Sequence, residues 1–211
     1  YDDLSVVMNN SLNLISSNEY KELIKSDDIT ILDTRDSDDF VKYHLPNSIF
    51  IGLNGRFAPW VGEILKDVNT QIIFVCSSGK EKEVVMRLAR IGFDKCMGYI
   101  NIDNEDQILS FSEPNSLKCV NPSDFIKSDE NSNVIDVRTK NEFNNGTYKA
   151  SQNIPLSTIG QEIDNISDNS YVFCAGGYRS VIACSILMKN GKKDLINVLE
   201  GYSGINKQIE S

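Results

Sequence analysis

Two short β-branched runs, Ile29 to Leu32 and Val134 to Ile135, each follow a segment of helical character, around Glu19 to Lys25 and Pro122 to Lys127. A second run follows in each half, Gln71 to Val75 and Tyr171 to Phe173. Runs this short and this apolar suit strands better than helices. After the second run the apolar positions return at helical spacing: Val84, Val85, Leu88 and Ile91 in the first half, Val181, Cys184, Leu187 and Met188 in the second. Each stripe stops at a glycine, Gly92 or Gly191, where a left-handed helix C-cap is favoured. Strands alternating with helices predict an α/β fold, a mainly parallel sheet with helices on both faces.

The pattern repeats. Asp33-Thr34-Arg35 recurs 103 positions on as Asp136-Val137-Arg138, and the same shift carries Asp39-Phe40 onto Glu142-Phe143. It also carries Ile51-Gly52-Leu53 onto Ile154-Pro155-Leu156 and Gly98-Tyr99 onto Gly201-Tyr202. One shift for four landmarks predicts two like domains in tandem. The stretch Asn101 to Asn115, "NIDNEDQILSFSEPN", is acidic, polar and interrupted by Pro114, as a connector would be. The expected layout is a tail over 1–12, a first domain over 13–105, a linker over 106–116 and a second domain over 117–211.

Composition narrows the partners. The chain has 211 residues, 40% hydrophobic and 24% charged, which is ordinary for a globular protein and allows two domains of about 100 residues. A net charge of −9 argues against nucleic acid or an anionic membrane as partner, since either calls for a basic surface. No apolar run reaches the roughly 18 residues that span a bilayer, and the start lacks a signal-peptide pattern, so a cytoplasmic location is expected. The first residue is Tyr1 rather than Met, which suggests a piece of something longer. Five cysteines, Cys76, Cys96, Cys119, Cys174 and Cys184, form an odd number without framework spacing. Free thiols in a reducing compartment are the expectation. Closely spaced Cys or His pairs for zinc are lacking, and no metal site is expected.

One cysteine stands in a chemical setting. "CAGGYRS", residues 174–180, directly follows the run Tyr171 to Phe173 and directly precedes the second helical stripe. Such a turn puts the sulfur at the carboxyl end of a parallel strand and over a helix N-terminus, where sites of open α/β sheets lie. Glycines permit the positive φ angles that let the N–H groups of Ala175, Gly176, Gly177 and Tyr178 turn inward as an anion-binding nest. The helix dipole acts at the same spot. Both effects favour thiolate over thiol, so Cys174 is the candidate nucleophile. Arg179 is placed to hold an anionic substrate, Tyr178 to shape the entrance, and Ser180 to donate a hydrogen bond at the helix start. Cys184 lies in the apolar stripe and is expected in the core; Cys96 and Cys119 read as structural.

Together these motifs resemble a tandem of rhodanese-type sulfurtransferase domains. The resemblance covers nearly the whole chain and is carried most fully by the second half: "VIDVRTKNEF", "NIPL", "CAGGYRS" and "VLEGYSGI". It implies two rhodanese-like domains and a sulfane sulfur passed from thiosulfate or a persulfide to a thiol or cyanide through a Cys174 persulfide. No cofactor is implied beyond that covalent intermediate. The loop amides from Ala175 to Tyr178 would cradle the outer sulfur, and Arg179 the donor's anionic part, while Asp136, Arg138 and Glu142 would support the fold. Gly146-Thr147-Tyr148 departs from a usual Gly-His-Ile. In the first half the loop reads "CSSGKEKE", with Glu81 where the arginine would stand and Lys80 beside it. A carboxylate there repels an anionic donor and raises the thiol pKa. Cys76, 98 residues before Cys174 rather than 103, is therefore the second-choice site, and the first domain is expected to be inactive.

"FIGLNGRFAPWVGEIL" is similar to the first rhodanese-like domain of metallo-β-lactamase-like persulfide dioxygenase fusions. That similarity implies an upstream metal-binding domain as a partner; its clustered histidines are not in this chain, whose single histidine is His44. Phe57 and Trp60 in this segment are expected as core or interdomain aromatics. Two other classes remain open. A cysteine-dependent phosphatase or arsenate reductase uses the same parts, but with five residues between cysteine and arginine where this chain has four. A non-catalytic interaction module would have no use for an intact Cys174 loop.

Overall fold

A computed structural model describes residues 4–128, 133–149 and 151–210, so the very start of the expected tail and the last residue of the expected second domain lie outside the described residues. The chain divides into two units, Tyr1–Asn115 and Ser116–Ser211. Each unit has the predicted architecture, a parallel sheet with helices.

In the first unit α1 (Leu4–Ser11) and α2 (Ser17–Leu23) lead into β1 (Ile29–Asp33), α3 (Ser37–Lys42), β2 (Ile49–Phe50) and α4 (Phe57–Leu65). Then come β3 (Gln71–Cys76), α5 (Glu81–Ala89), β4 (Cys96–Asn101) and α6 (Glu105–Leu109). The strands lie in the order β2-β1-β3-β4, all parallel. Residues alternate between the faces: Ile31, Ile73, Val75 and Ile100 join Tyr20 of α2 and Ile108 of α6 in one core cluster. The expected α5 stripe is buried at Val84, Val85 and Leu88, and Gly92 closes the helix with φ +84°.

Both margins of this unit differ from expectation. Residues 4–11, read as tail, are a helix packed on α5 and β4 with Val7 buried. Eight residues are marginal as an isolated helix, so tertiary packing rather than local sequence makes this one. The expected linker is likewise built into the first unit. Asn104 caps α6 in a capping box with Gln107, Ile108 is fully buried, and Phe111 meets the Tyr20 ring edge-on at 5.6 Å. Asn115 exchanges both backbone hydrogen bonds with His44, at 2.8 and 2.9 Å. Polar composition there reflects caps and turns, not a free connector.

The second unit runs β5 (Lys118–Val120), α7 (Pro122–Ser128), β6 (Val134–Asp136), α8 (Lys140–Asn144) and β7 (Gln152–Asn153). Two 3₁₀ turns lead to β8 (Tyr171–Phe173), α9 (Tyr178–Lys189), β9 (Ile196–Val198) and α10 (Gly201–Glu210). Its parallel sheet has the order β5-β9-β8-β6-β7. Phe173 and Val198 share a cluster with Phe125 of α7 and Ile205 of α10, while α9 packs on β8 and β9. Burying a side chain such as Phe173 contributes about 2 kcal/mol by area. Cys184 is fully buried in α9, as its place in the stripe predicts, and Gly191 follows with φ +86°. Among the described residues no helix is long and apolar enough to cross a membrane.

The repeat does not keep one offset throughout. Asp33 pairs with Val75 across β1 and β3 as Asp136 pairs with Phe173 across β6 and β8, which makes Cys76 and Cys174 equivalent at 98 positions. In the next strands Phe74 pairs with Tyr99 and Val172 with Asn197, so Gly98-Tyr99 corresponds to Ile196-Asn197 and not to Gly201-Tyr202. The fourth landmark was a coincidence of letters. The shortening falls where the first unit has the nine-residue α4 and the second only 3₁₀ turns.

Candidate active site

Behind the second-unit loop lies a buried ion pair. Arg138 Nη2 donates to Asp136 Oδ2 at 2.6 Å and to the Gly146 carbonyl at 2.8 Å, and its guanidinium lies 4.2 Å from the Tyr202 ring centroid. Desolvation offsets much of the attraction in such a buried pair, but loss of either partner alone is costly because it strands the other charge. Thr147, where the resemblance leads one to expect histidine, donates from Oγ1 to Asp136 Oδ2 at 2.9 Å. The first unit repeats the pair as Arg35 and Asp33 at 2.7 Å. His44, equivalent to Thr147, is buried, stacks on Phe40 at 3.9 Å, and donates from Nδ1 to the Phe40 carbonyl at 2.7 Å.

The loop itself leaves β8 at Phe173 and enters α9 at Tyr178, with Gly177 left-handed at φ +96°. That conformation disfavours any side chain. It aims the Gly177 N–H at Cys174 Sγ, 3.1 Å away. Ser180 Oγ stands 3.6 Å from the same sulfur and 3.0 Å from the Gly177 carbonyl, so its proton can serve either. Cys174 is only 2% exposed, Gly176 is exposed, and Ala175, Gly177, Tyr178 and Arg179 are half-buried. The sulfur is thus the floor of the loop, faced by an amide and a hydroxyl.

What holds the loop in this shape comes from α10, which sequence reasoning did not connect to it. The Tyr202 N–H donates to the Cys174 carbonyl at 2.7 Å and the Ser203 N–H to the Ala175 carbonyl at 3.1 Å. These bonds draw the loop carbonyls toward the α10 N-terminus. Gly201 makes the approach possible: its φ is +53°, and a Cβ there would lie 2.2 Å from the Cys174 carbonyl oxygen. The signal in the sequence is the Gly-Tyr of "VLEGYSGI", whose letters alone do not show that they meet the Cys174 loop.

Arg179 is not an open anion receptor. Its Nη1 donates to Glu142 Oε2 at 2.8 Å and its Nη2 to Glu142 Oε1 at 2.6 Å, a two-pronged bridge on which the side chains are 20% and 36% exposed. Glu142 Oε2 also accepts the Thr139 N–H at 3.0 Å and Thr139 Oγ1 at 2.8 Å, closing the capping box of α8. Glu142 therefore does more than support the fold, the role expected of it. The hydrogen bond from Arg179, and after it those from Thr139, outweigh partial burial and hold its carboxyl down at about 2. A folded-state value below the unfolded one stabilises the protein above the unfolded pKa, near 4.3, and the contribution fades as pH falls toward 2. The bridge is thus expected to survive a titration from pH 7 to pH 4 intact. An NMR titration of the Glu142 carboxyl carbon checks this, and a midpoint above 4 contradicts it.

The first-unit loop has the same backbone turn and a different occupant. Gly79 is left-handed at φ +86°, as Gly177 is, but its N–H donates to Glu81 Oε1 at 2.9 Å. Glu81 also accepts Asn101 Nδ2 at 2.8 Å, and Asp103 accepts the Ser78 N–H at 2.9 Å. Two carboxylates of the chain fill the cradle. Cys76 is fully buried, and burial first, then Glu81, Asp33 and Asp103, push its thiol up to about 12. Since the thiolate is the reactive form, iodoacetamide at pH 7.5 is expected to label Cys76 at least about a hundredfold more slowly in the native protein than in urea. Peptide mass spectrometry reads the two rates; equal rates would contradict the burial of this sulfur. Phe57 is buried, as expected of a core aromatic.

Known proteins similar to this chain point to its family. An uncharacterized Bacillus subtilis protein, YqhL, is 32% identical over 97 residues, which cover 45% of this chain and 77% of that protein. The putative sulfur carrier protein YrkF of the same organism is 32% identical over 78 residues, covering 36% of this chain and 42% of that protein. The chain thus spans less than half the length of the second relative. Among solved structures, a rhodanese-related protein from Thermoplasma volcanium is similar at 26% identity and a TM-score of 0.41, over 43% of this chain and 92% of that one. Residues 16–102 and 122–208 each match the rhodanese-like domain, and these two stretches hold the whole first sheet, all of the second except β5, and both cysteine loops. The chain belongs to the rhodanese-like family, and does so twice along its length.

Proposed function

We propose that the second domain is a sulfurtransferase that carries sulfane sulfur as a persulfide on Cys174. The observation that carries this reading is the Gly177 N–H directed at Cys174 Sγ at 3.1 Å, at the N-terminus of the twelve-residue α9. An amide and a helix dipole pointed at one sulfur stabilise negative charge on it, before and after it takes a second sulfur. The name of the Bacillus relative as a putative sulfur carrier points the same way.

In the first half-reaction Cys174 thiolate attacks the terminal sulfur of a persulfide R–S–SH. A new S–S bond forms at Cys174, the old one breaks, and R–S⁻ leaves with its electron pair. With thiosulfate the leaving group is sulfite. In the second half-reaction an acceptor thiolate or cyanide attacks the outer sulfur of Cys174–S–S⁻ and regenerates the thiolate. Ala175, Gly176, Gly177 and Tyr178 supply the amide cradle, and Ser180 its hydroxyl. Arg179 offers the donor the N–H groups that Glu142 does not engage. A cysteine that is 2% exposed suits an end-on sulfur atom better than a bulky tetrahedral phosphate. The reading needs no cofactor, puts the protein in the reducing cytoplasm, leaves sulfur transfer to the second domain alone, and takes a metallo-β-lactamase-like domain as its upstream partner.

Incubation with glutathione persulfide, followed by intact and peptide mass spectrometry, tests the proposal. A gain of one sulfur atom at Cys174 supports it; a protein that stays unloaded, or loads elsewhere, refutes it.

A further inference from the structure

We propose that Glu142 determines which sulfur donor the second domain accepts, by neutralising Arg179 and so selecting against dianionic thiosulfate in favour of donors with a singly charged or neutral reacting end. The inference rests on the sulfur-transfer reading and adds the substrate class. Both terminal nitrogens of Arg179 are committed to Glu142, at 2.8 and 2.6 Å. Glu142 is itself fixed by two hydrogen bonds from Thr139, at 3.0 and 2.8 Å, so it cannot swing away without opening the capping box of α8. Together the pair presents no net charge where a lone arginine would present one positive charge. Thr139 adds none, and Asp136 is already neutralised by Arg138 at 2.6 Å.

A thiosulfate ion approaching Cys174 must place its sulfonate near Arg179 and meets the Glu142 carboxylate beside it. Like charges repel in proportion to their product, so the dianion is penalised about twice as much as a monoanion. A persulfide brings one terminal sulfur to the cradle and leaves the charges of its carrier remote. The first unit shows the same logic taken further, since there Glu81 replaces the arginine outright and sits on the loop amide.

The test compares kcat/KM for thiosulfate and for glutathione persulfide, both read as sulfur transfer through Cys174, in the wild type and in Glu142→Gln. Glutamine keeps the shape and removes the charge. The thiosulfate-to-persulfide ratio is expected to rise about tenfold, equivalent to about 1.4 kcal/mol. The gain should come mainly from KM for thiosulfate, and it should shrink as salt rises from 0.05 to 0.5 M because the interaction is screened. Should Glu142→Gln fold poorly, Glu142→Asp, which retains the charge but withdraws it by one methylene from Arg179, is expected to move the ratio the same way by less. A ratio that is unchanged or falls in a folded variant overturns the proposal, because a merely structural role for Glu142 would depress both donors together. A wild type that loads Cys174 from neither donor overturns the sulfur-transfer reading, and this one with it.

Discussion

Cys174→Ser is expected to abolish sulfur loading, with a fall of about a thousandfold or more in turnover from either donor. The serine hydroxyl is a far weaker nucleophile at neutral pH and has no equivalent of the persulfide, so the loop keeps its cradle and loses its carrier. Cys76→Ser is expected to retain at least half of wild-type turnover. Its cost is one of stability, about 1–3 kcal/mol for a buried hydroxyl in place of a thiol, because Cys76 is fully buried. Intact mass after persulfide treatment and turnover by acceptor thiol formation separate the two variants. If Cys76→Ser were the dead enzyme and Cys174→Ser the active one, the assignment of the two loops would be inverted.

Gly201→Ala should be nearly as damaging to loading although residue 201 contributes no chemistry. Two penalties add. The backbone sits at φ +53°, where an L-residue costs roughly 1–2 kcal/mol, and the new Cβ would lie 2.2 Å from the Cys174 carbonyl oxygen. That oxygen cannot retreat without breaking the 2.7 Å bond from the Tyr202 N–H and rotating the peptide that follows Cys174. A stability loss of about 2–4 kcal/mol and a loading rate down by about a hundredfold are expected. Gly191→Ala is the matched control: it is also left-handed, at φ +86°, but has no heavy atom within 4 Å of the new Cβ. It should lose about 1 kcal/mol in urea melts and load sulfur normally. If Gly201→Ala loaded as fast as Gly191→Ala, α10 would not be what shapes the loop.

Much of the architecture was legible because it is written in local patterns. The strand runs, the α5 and α9 stripes and the glycine stops at 92 and 191 are read within a dozen residues of each other, and burial of Val84, Leu88, Cys184 and Leu187 follows from their spacing. The margins were harder to read. Leu4–Ser11 is only about two turns long, too short for its apolar residues to announce a helix, and α6 lies inside a stretch whose cap pair, Asn104 and Gln107, and acidic first turn composition alone cannot tell from linker. The offset error at Gly98 has the same root, since only strand pairing reveals where one copy is shorter.

The sequence by itself determined that one strand-to-helix loop presents Cys174 with glycines and Arg179, and that the other presents Cys76 with Glu81. It could do so because nucleophile, turn and helix start lie within seven consecutive residues. Only the tertiary structure decided what faces those groups. Glu142 is 37 residues from Arg179, and Tyr202 is 28 from Cys174. Asp103 is 25 residues from Ser78. Their pairing depends on parallel strands that bring every strand's carboxyl end, and the loop or helix after it, to one edge of the sheet. Charge balance at such an edge is a property of neighbours in space.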